Sequence, residues 1–246
     1  MASFAVILAA AGKSSRFHDQ HYKKPFAPLA GKAVWLHSAE KFLARKDVKQ
    51  LIIVVSPEDL DEFRSKFGAN VAILGLDIVT GGEERSDSVQ NALEQVNDDI
   101  DFVAVHDAAR PCFVNEWIDP VFDAARKSGA AILATPVTGT LKRCNDGKSI
   151  DETIPRENLW QAQTPQVFKK EVLVEAYAKR GSLQPTDEAQ AVEAIGQTVS
   201  IVKGSSMNLK VTTKEDLRIA EHLLKALPKP KLEGTGNPFA DGDMWR

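Results

Sequence analysis

Four stretches of the chain, 4–10, 50–55, 102–106 and 130–137, are short and almost continuously apolar. A strand that faces water on one side alternates apolar and polar residues; an unbroken run marks a strand covered on both faces, as in parallel sheets. Between these runs, segments 33–43, 60–67, 86–95 and 117–127 place apolar residues at three- and four-residue spacing, the stripe of a helix lying on a sheet. Strand and helix alternate, so the pattern predicts an α/β fold: a mostly parallel sheet with helices on both faces.

The rhythm breaks after Val137. Residues 138–160 carry too few apolar positions for a core element and include the turn signal Asn145-Asp146-Gly147, which predicts a projecting hairpin arm. Such an insertion is either a solvated loop or a functional surface, and a homodimer formed through the arm is the expectation adopted here. The pattern then resumes with a strand at 163–168, a helix at 169–180, a short helix opened by Thr186-Asp187-Glu188 and a strand at 198–202. A last helix opens at Thr212, with Glu215 as the partner in a capping box, and runs to about Leu227. Residues 228–246, rich in Pro, Gly and charge, predict a flexible tail, leaving residues 1–227 as a single domain that includes the arm.

Composition narrows the function. A formal net charge of −3 gives no broad basic field, so nucleic acid is not an expected partner and any anionic ligand must meet local clusters of Lys and Arg. Cys112 and Cys144 have neither disulfide nor zinc spacing, which suits a reducing cytoplasm. The apolar run at the N-terminus is too short to span a bilayer, so no membrane association is expected.

Three segments carry candidate chemistry. The first follows the first strand: Ala9-Ala10-Ala11-Gly12-Lys13-Ser14-Ser15-Arg16-Phe17, then Lys23-Lys24-Pro25-Phe26. Small residues there let backbone N–H groups approach a triphosphate while Arg and Lys neutralise it, or else they form an ordinary strand-to-helix turn. Neither the phosphate loop Gly-x-x-x-x-Gly-Lys-Ser/Thr nor the dinucleotide pattern Gly-x-Gly-x-x-Gly is present, which argues against hydride transfer. The second segment, Gly81-Gly82-Glu83-Glu84-Arg85-Ser86-Asp87-Ser88-Val89, reads either as a capped helix start or as a glycine turn against a base or ribose, with the Ser88 hydroxyl as a polar contact. The third, Val105-His106-Asp107-Ala108-Ala109-Arg110-Pro111, ends a buried strand. Asp107 there can hold a divalent cation or pair with Arg110, and both can hold together. His106 lacks a second His at metal spacing and reads as a packed, hydrogen-bonded side chain.

The ordered set AAGKSSRF, KKPF, GGEERSDSV, VHDAARP, LWQAQTPQ, PTDEAQAV and NLKVTTKEDL resembles the 2-C-methyl-D-erythritol 4-phosphate cytidylyltransferase family over about residues 3–225. The resemblance implies a Rossmann-like fold of the nucleotide-diphospho-sugar transferase type. It implies transfer of the cytidylyl group of CTP to a sugar-alcohol phosphate, with Mg²⁺ or another divalent cation. Position by position, it implies that Arg16 and Lys24 stabilise charge on the α-phosphate. Lys24 rather than Lys23 is chosen because its spacing to Phe26, Leu29 and Gly31 keeps the family's phase. Ala10, Ala11, Gly12, Gly82, Glu83, Ser88, Asp107 and Arg110 are implied for the nucleotide, Asp107 also for the metal, and Arg156 and Lys210 for the acceptor phosphate. Arg156 would serve the partner's site across a homodimer. Thr140, Thr164 and Thr186 match further polar residues around the acceptor.

The chain departs from the family pattern at Ser14, where a second glycine is usual, at Phe17 for Met, at Met207 for an acid, and at Gly139, where Asp is frequent. These positions bear on the loop and the acceptor more than on the reaction type. A ribitol-5-phosphate cytidylyltransferase and a nucleotide-binding regulator without turnover are the alternatives. A sugar-1-phosphate nucleotidyltransferase fits the arm and the KVTTKEDL segment poorly.

Overall fold

The computed structural model describes residues 2–12, 17 and 23–228. Arg16, Ser14 and the tail from 229 onward lie outside the described residues. The apolar runs form the centre of one seven-stranded sheet. Its strands are β1 (Phe4–Ala9), β4 (Val48–Val55), β5 (Asp77–Thr80), β6 (Phe102–Asp107), β7 (Ala130–Pro136), β10 (Trp160–Lys169) and β11 (Ser200–Lys203). Two-residue strands β2 (Pro28–Leu29) and β3 (Lys32–Ala33) pair with each other, as do β8 (Leu141–Arg143) and β9 (Glu152–Ile154) in the arm segment.

The sheet order is β11-β7-β10-β6-β1-β4-β5, and every neighbouring pair is parallel except those made by β10, which runs antiparallel to both β6 and β7. Helices α1 (Val34–Leu43), α2 (Leu60–Leu74), α3 (Arg85–Leu93), α4 (Asn115–Ser128), α5 (Lys170–Lys179), α6 (Glu188–Ala194) and α7 (Lys214–Ala226) complete the fold. Alternate residues of β1 divide the core. Phe4, Val6 and Leu8 pack with Phe42, Phe63 and Phe122 from α1, α2 and α4 on one face. Ala5 and Ile7 pack with Val89, Leu173 and Val192 from α3, α5 and α6 on the other. A third cluster seats α7, through Ala220, against Phe17, Val34, Cys112 and Val211.

Several boundaries differ from expectation for identifiable reasons. Helix α2 continues past Gly68 to Leu74 and stops at Gly75, whose φ of 65° is the left-handed ending that glycine favours. Strand β5 was not anticipated, because it is a four-residue edge strand whose side chains are no more than half-buried. The last helix is capped one residue later than expected: Thr213 accepts from the Asp216 amide, and the Asp216 carboxylate accepts from the Thr213 and Thr212 amides.

A single side chain ties the β4–β5 edge to the end of α3. Gln50, buried on β4, donates through Nε2 to Asp77 Oδ2 and to the Gln95 carbonyl, and its Oε1 accepts from the Asn97 amide, all at 2.9 Å. Leucine in its place would leave those backbone groups without their partner. We expect Gln50→Leu to lower the unfolding free energy by about 2 kcal/mol, read as a shifted midpoint in urea denaturation.

Candidate active site

Because β1, β4, β5 and β6 are mutually parallel, their carboxyl ends lie on one edge of the sheet, and a cleft of about 720 Å³ opens there. Its lining includes Ala10, Ala11 and Gly12 after β1, Ser56 after β4, Gly81 and Gly82 after β5, Asp107 at the end of β6, and Lys24 and Lys210 from flanking loops. Open α/β sheets collect ligands at this edge. Segments as far apart in sequence as Ala9 and Lys210 thus meet at one place.

The electrostatic centre is Asp107. Its Oδ2 contacts Lys210 Nζ at 2.9 Å and Arg110 Nε at 3.2 Å, and its Oδ1 lies 3.9 Å from Arg85. Burial by itself would raise the Asp107 carboxyl, but Lys210, Arg85 and Arg110 outweigh it and hold the group well below the usual carboxylate range. Lys210 reaches this position because the Val211 amide donates to the Ala109 carbonyl, and Arg110 donates to the Asn208 carbonyl. The Asp107–Arg110 pair anticipated from sequence is therefore present within a larger cluster.

The glycine turn is sterically required. A Cβ on Gly81 would stand 2.7 Å from the Ala11 Cβ, and one on Gly82 would stand 2.4 Å from the Asp87 Cβ. Gly82 N donates to Ser88 Oγ at 3.1 Å, Ser88 Oγ donates to the Glu84 carbonyl, and Gly81 N donates to the Val55 carbonyl. The Ser88 hydroxyl, expected to meet a ligand, is thus also the brace that shapes the turn. Glu84 and Asp87 form a reciprocal capping box, so the capped helix start and the cleft wall are the same residues.

Lys23 and Lys24 lie in different surroundings. Lys23 is paired with Asp59, at 2.7 Å, and Asp59 also accepts from Ser56, whereas Lys24 lines the cleft. Glu83 lines the cleft as well. Thr164 does not line it: the buried hydroxyl accepts from the Asp107 amide at 3.0 Å and bonds His106 Nδ1 at 3.2 Å. Thr186 is exposed just before α6, its amide donating to Gln190. Thr140 and Arg156 are exposed on the arm segment and line no part of this cleft, with Arg156 held to the Thr138 carbonyl.

Strand β10 explains the polar motif around Thr164. Gln163 donates to the Ser205 carbonyl, Thr164 braces Asp107, and Gln166 takes both Asp187 and the Ala189 amide, so three neighbouring side chains hold the loop after β11, the end of β6 and the start of α6. His106 completes this scaffold, its Nε2 lying 3.1 Å from the Arg110 carbonyl. The sequence reading missed Arg85, Glu188 and Gln166 as site residues. Arg85 carried a signal, since a cation in the first turn of a helix opposes the helix dipole and calls for a specific acid.

A family model described as 2-C-methyl-D-erythritol 4-phosphate cytidylyltransferase matches residues 4–226. The chain is 44% identical over 234 residues to the protein of that name from Rhodopirellula baltica, covering 91% of this chain and 95% of the relative. It is 43% identical to that of Endomicrobium trichonymphae, covering 90% and 99%. The crystal structure of the Thermus thermophilus protein of the same name superposes with a TM-score of 0.74 at 32% identity, covering 92% of this chain and all of that one.

Two outcomes test the scaffold. Burial lowers the His106 pKa from 6.5 to about 3, so the folded chain keeps His106 neutral while the unfolded chain binds a proton below about pH 6.5. Stability should fall as pH drops from there toward 3, by up to about 1.4 kcal/mol per pH unit from this group. His106→Gln should flatten that slope in denaturation series run between pH 7.5 and 4.5. Gly82→Ala should cost about 1–3 kcal/mol through overlap with Asp87, measured by urea unfolding.

Proposed function

The chain belongs to the 2-C-methyl-D-erythritol 4-phosphate cytidylyltransferase family, and we propose that it transfers the cytidylyl group of CTP to 2-C-methyl-D-erythritol 4-phosphate, forming 4-diphosphocytidyl-2-C-methyl-D-erythritol and pyrophosphate in isoprenoid precursor synthesis. The observation that carries this reading is the convergence of the matched segments, from Ala9 to Lys210, on one cleft at the carboxyl edge of the sheet.

An oxygen of the acceptor phosphate attacks the α-phosphorus of CTP; that P–O bond forms as the bond to the β-phosphate breaks, and pyrophosphate leaves in line. A phosphate monoester is already a competent nucleophile near neutral pH, so the protein's work is orientation and charge stabilisation. Lys24, on the cleft wall, and Arg16, by family correspondence, take the charge on the α-phosphate. The small residues Ala10, Ala11 and Gly12 let the triphosphate approach backbone. Since the Gly81 and Gly82 amides are both engaged within the protein, the acceptors of this turn are what remain for the 4-amino group of cytosine. Lys210, on the cleft wall, serves the acceptor, and Arg110, on the same Asp107 oxygen but outside the cleft lining, holds that carboxylate beside the ribose.

The donor set fits a Mg²⁺ that arrives with the nucleotide. Among the described residues no three Cys, His, Asp or Glu side chains cluster as a metal cage, and Asp107 Oδ1 has only the long contact to Arg85. When bound, the ion would neutralise charge on the triphosphate and on the departing pyrophosphate.

We assign a homodimer through the arm. Ile150 is 65% exposed and Trp160 41%, alongside exposed Leu141 and Leu159, an apolar set on a hairpin with no core of its own. Arg156 and Thr140, implied for the acceptor, miss this chain's own cleft, which suits donation to a second copy. We propose that the reaction is cytoplasmic, since both cysteines are free thiols, as suits a reducing compartment.

Pyrophosphate release with CTP and Mg²⁺ should occur with methylerythritol 4-phosphate; release only with ribitol 5-phosphate would move the substrate, and release with neither would favour a regulator. Lys24→Ala should lower turnover about 100-fold or more while leaving the thermal midpoint near that of the parent chain. Near-normal turnover would remove Lys24 from the mechanism.

A further inference from the structure

Arg85 is the first residue of α3, and its guanidinium is gripped fork to fork by Glu188, with NH1 to Oε1 at 2.6 Å and NH2 to Oε2 at 2.9 Å. Glu188 is fully buried and also accepts from the Tyr177 hydroxyl at 3.3 Å. Its backbone is fixed from the sheet: Gln166 donates to Asp187 on one side and accepts the Ala189 amide on the other. Burial alone would weaken the hold of Arg85 on its proton, but Glu188 and Asp107 outweigh it, so the guanidinium stays charged.

A pair that merely joined α3 to α6 could be replaced by apolar side chains at little cost. This one turns its outer edge to the cleft: the Arg85 side chain is 31% exposed, lines the cavity and stands 3.9 Å from Asp107 Oδ1, while Lys210 stands at Oδ2. Three cations, Arg85, Arg110 and Lys210, meet two carboxylates, Asp107 and Glu188, leaving one net positive charge. Two cations flanking one carboxylate suit a phosphate monoester dianion better than a base or a ribose hydroxyl.

We propose that Arg85 binds the phosphate of the acceptor substrate and that Glu188 is the positioning residue that sets the direction of its guanidinium. The inference rests on the cytidylyl-transfer reading and assigns the acceptor side of that site. Glu188 touches no substrate; it acts by fixing where the N–H groups of Arg85 point.

The sign of one effect separates this role from a simple charge count. Glu188→Gln raises the net charge of the cluster, so a role through charge alone predicts tighter binding of a dianion and a lower acceptor KM. Positioning predicts the reverse. Steady-state pyrophosphate release by the full chain, with CTP, Mg²⁺ and methylerythritol 4-phosphate, should show the acceptor KM rising about tenfold with the CTP KM nearly unchanged. Arg85→Lys keeps the charge but loses the fork, so it should raise the acceptor KM similarly, and the double variant should be no worse than Arg85→Lys alone. Should Glu188→Gln fail to fold, Arg85→Lys at the cleft wall carries the same test. An acceptor KM unchanged or lowered in the variants that fold, a change confined to CTP, or fully additive effects would overturn the proposal. A parent chain that releases no pyrophosphate would overturn the transfer reaction itself, and the proposal with it, a result distinct from any ratio between variants.

Discussion

A carboxylate buried at the end of a central strand has to be compensated, and Asp107 sets that requirement for the whole edge of the sheet. Its compensation draws Arg110 from the following turn, Arg85 from the start of α3 and Lys210 from the loop before α7. Pairing with a buried anion in turn fixes long, otherwise adaptable cations at the cleft. The positive potential that an anionic ligand meets is therefore organised by a negative group beneath it.

Strand β10 supplies the mechanical counterpart. Gln163, Thr164 and Gln166 place polar side chains at central positions of a sheet, where apolar residues would pack more cheaply, and each is hydrogen-bonded to a different segment. The antiparallel direction of β10 also creates the arm, since β7 and β10 pair directly and continue outward beyond Pro136 and Trp160. One departure from an all-parallel sheet thus serves both the loops of the cleft and the hairpin beside it.

The buried strands were legible because a short, unbroken apolar run bounded by polar turns fits a strand covered on both faces and little else, and the central alternation of strand and helix followed from them. Edge strand β5 was not, since Asp77–Thr80 is too short and too exposed to leave a periodic trace. Nothing in the sequence foretold that Lys23 would pair with Asp59. Glu188 was read only as a helix opener, although its spacing to the buried Ala191 and Val192 places it on the inner face of α6. Its partner lies over 100 residues away, and pairings between charged side chains at such separations leave no pattern in a single sequence. Ser88 and Thr164 show a different limit: a hydroxyl close to a ligand site and a hydroxyl that braces it look the same until their hydrogen bonds are seen.

The place of β10 between β6 and β7 also dictates an order of events during synthesis. When Asp107 leaves the ribosome, its strand has β1 as a neighbour but no second one, and β7, made next, belongs one position too far out to fill the gap. Only after Trp160–Lys169 has been made can the sheet close beside β6, and only after Lys210 can the buried carboxylate be fully neutralised. The nascent chain therefore carries its most central strand half-paired until Lys169 has been made, and its key anion under-compensated until Lys210 has followed.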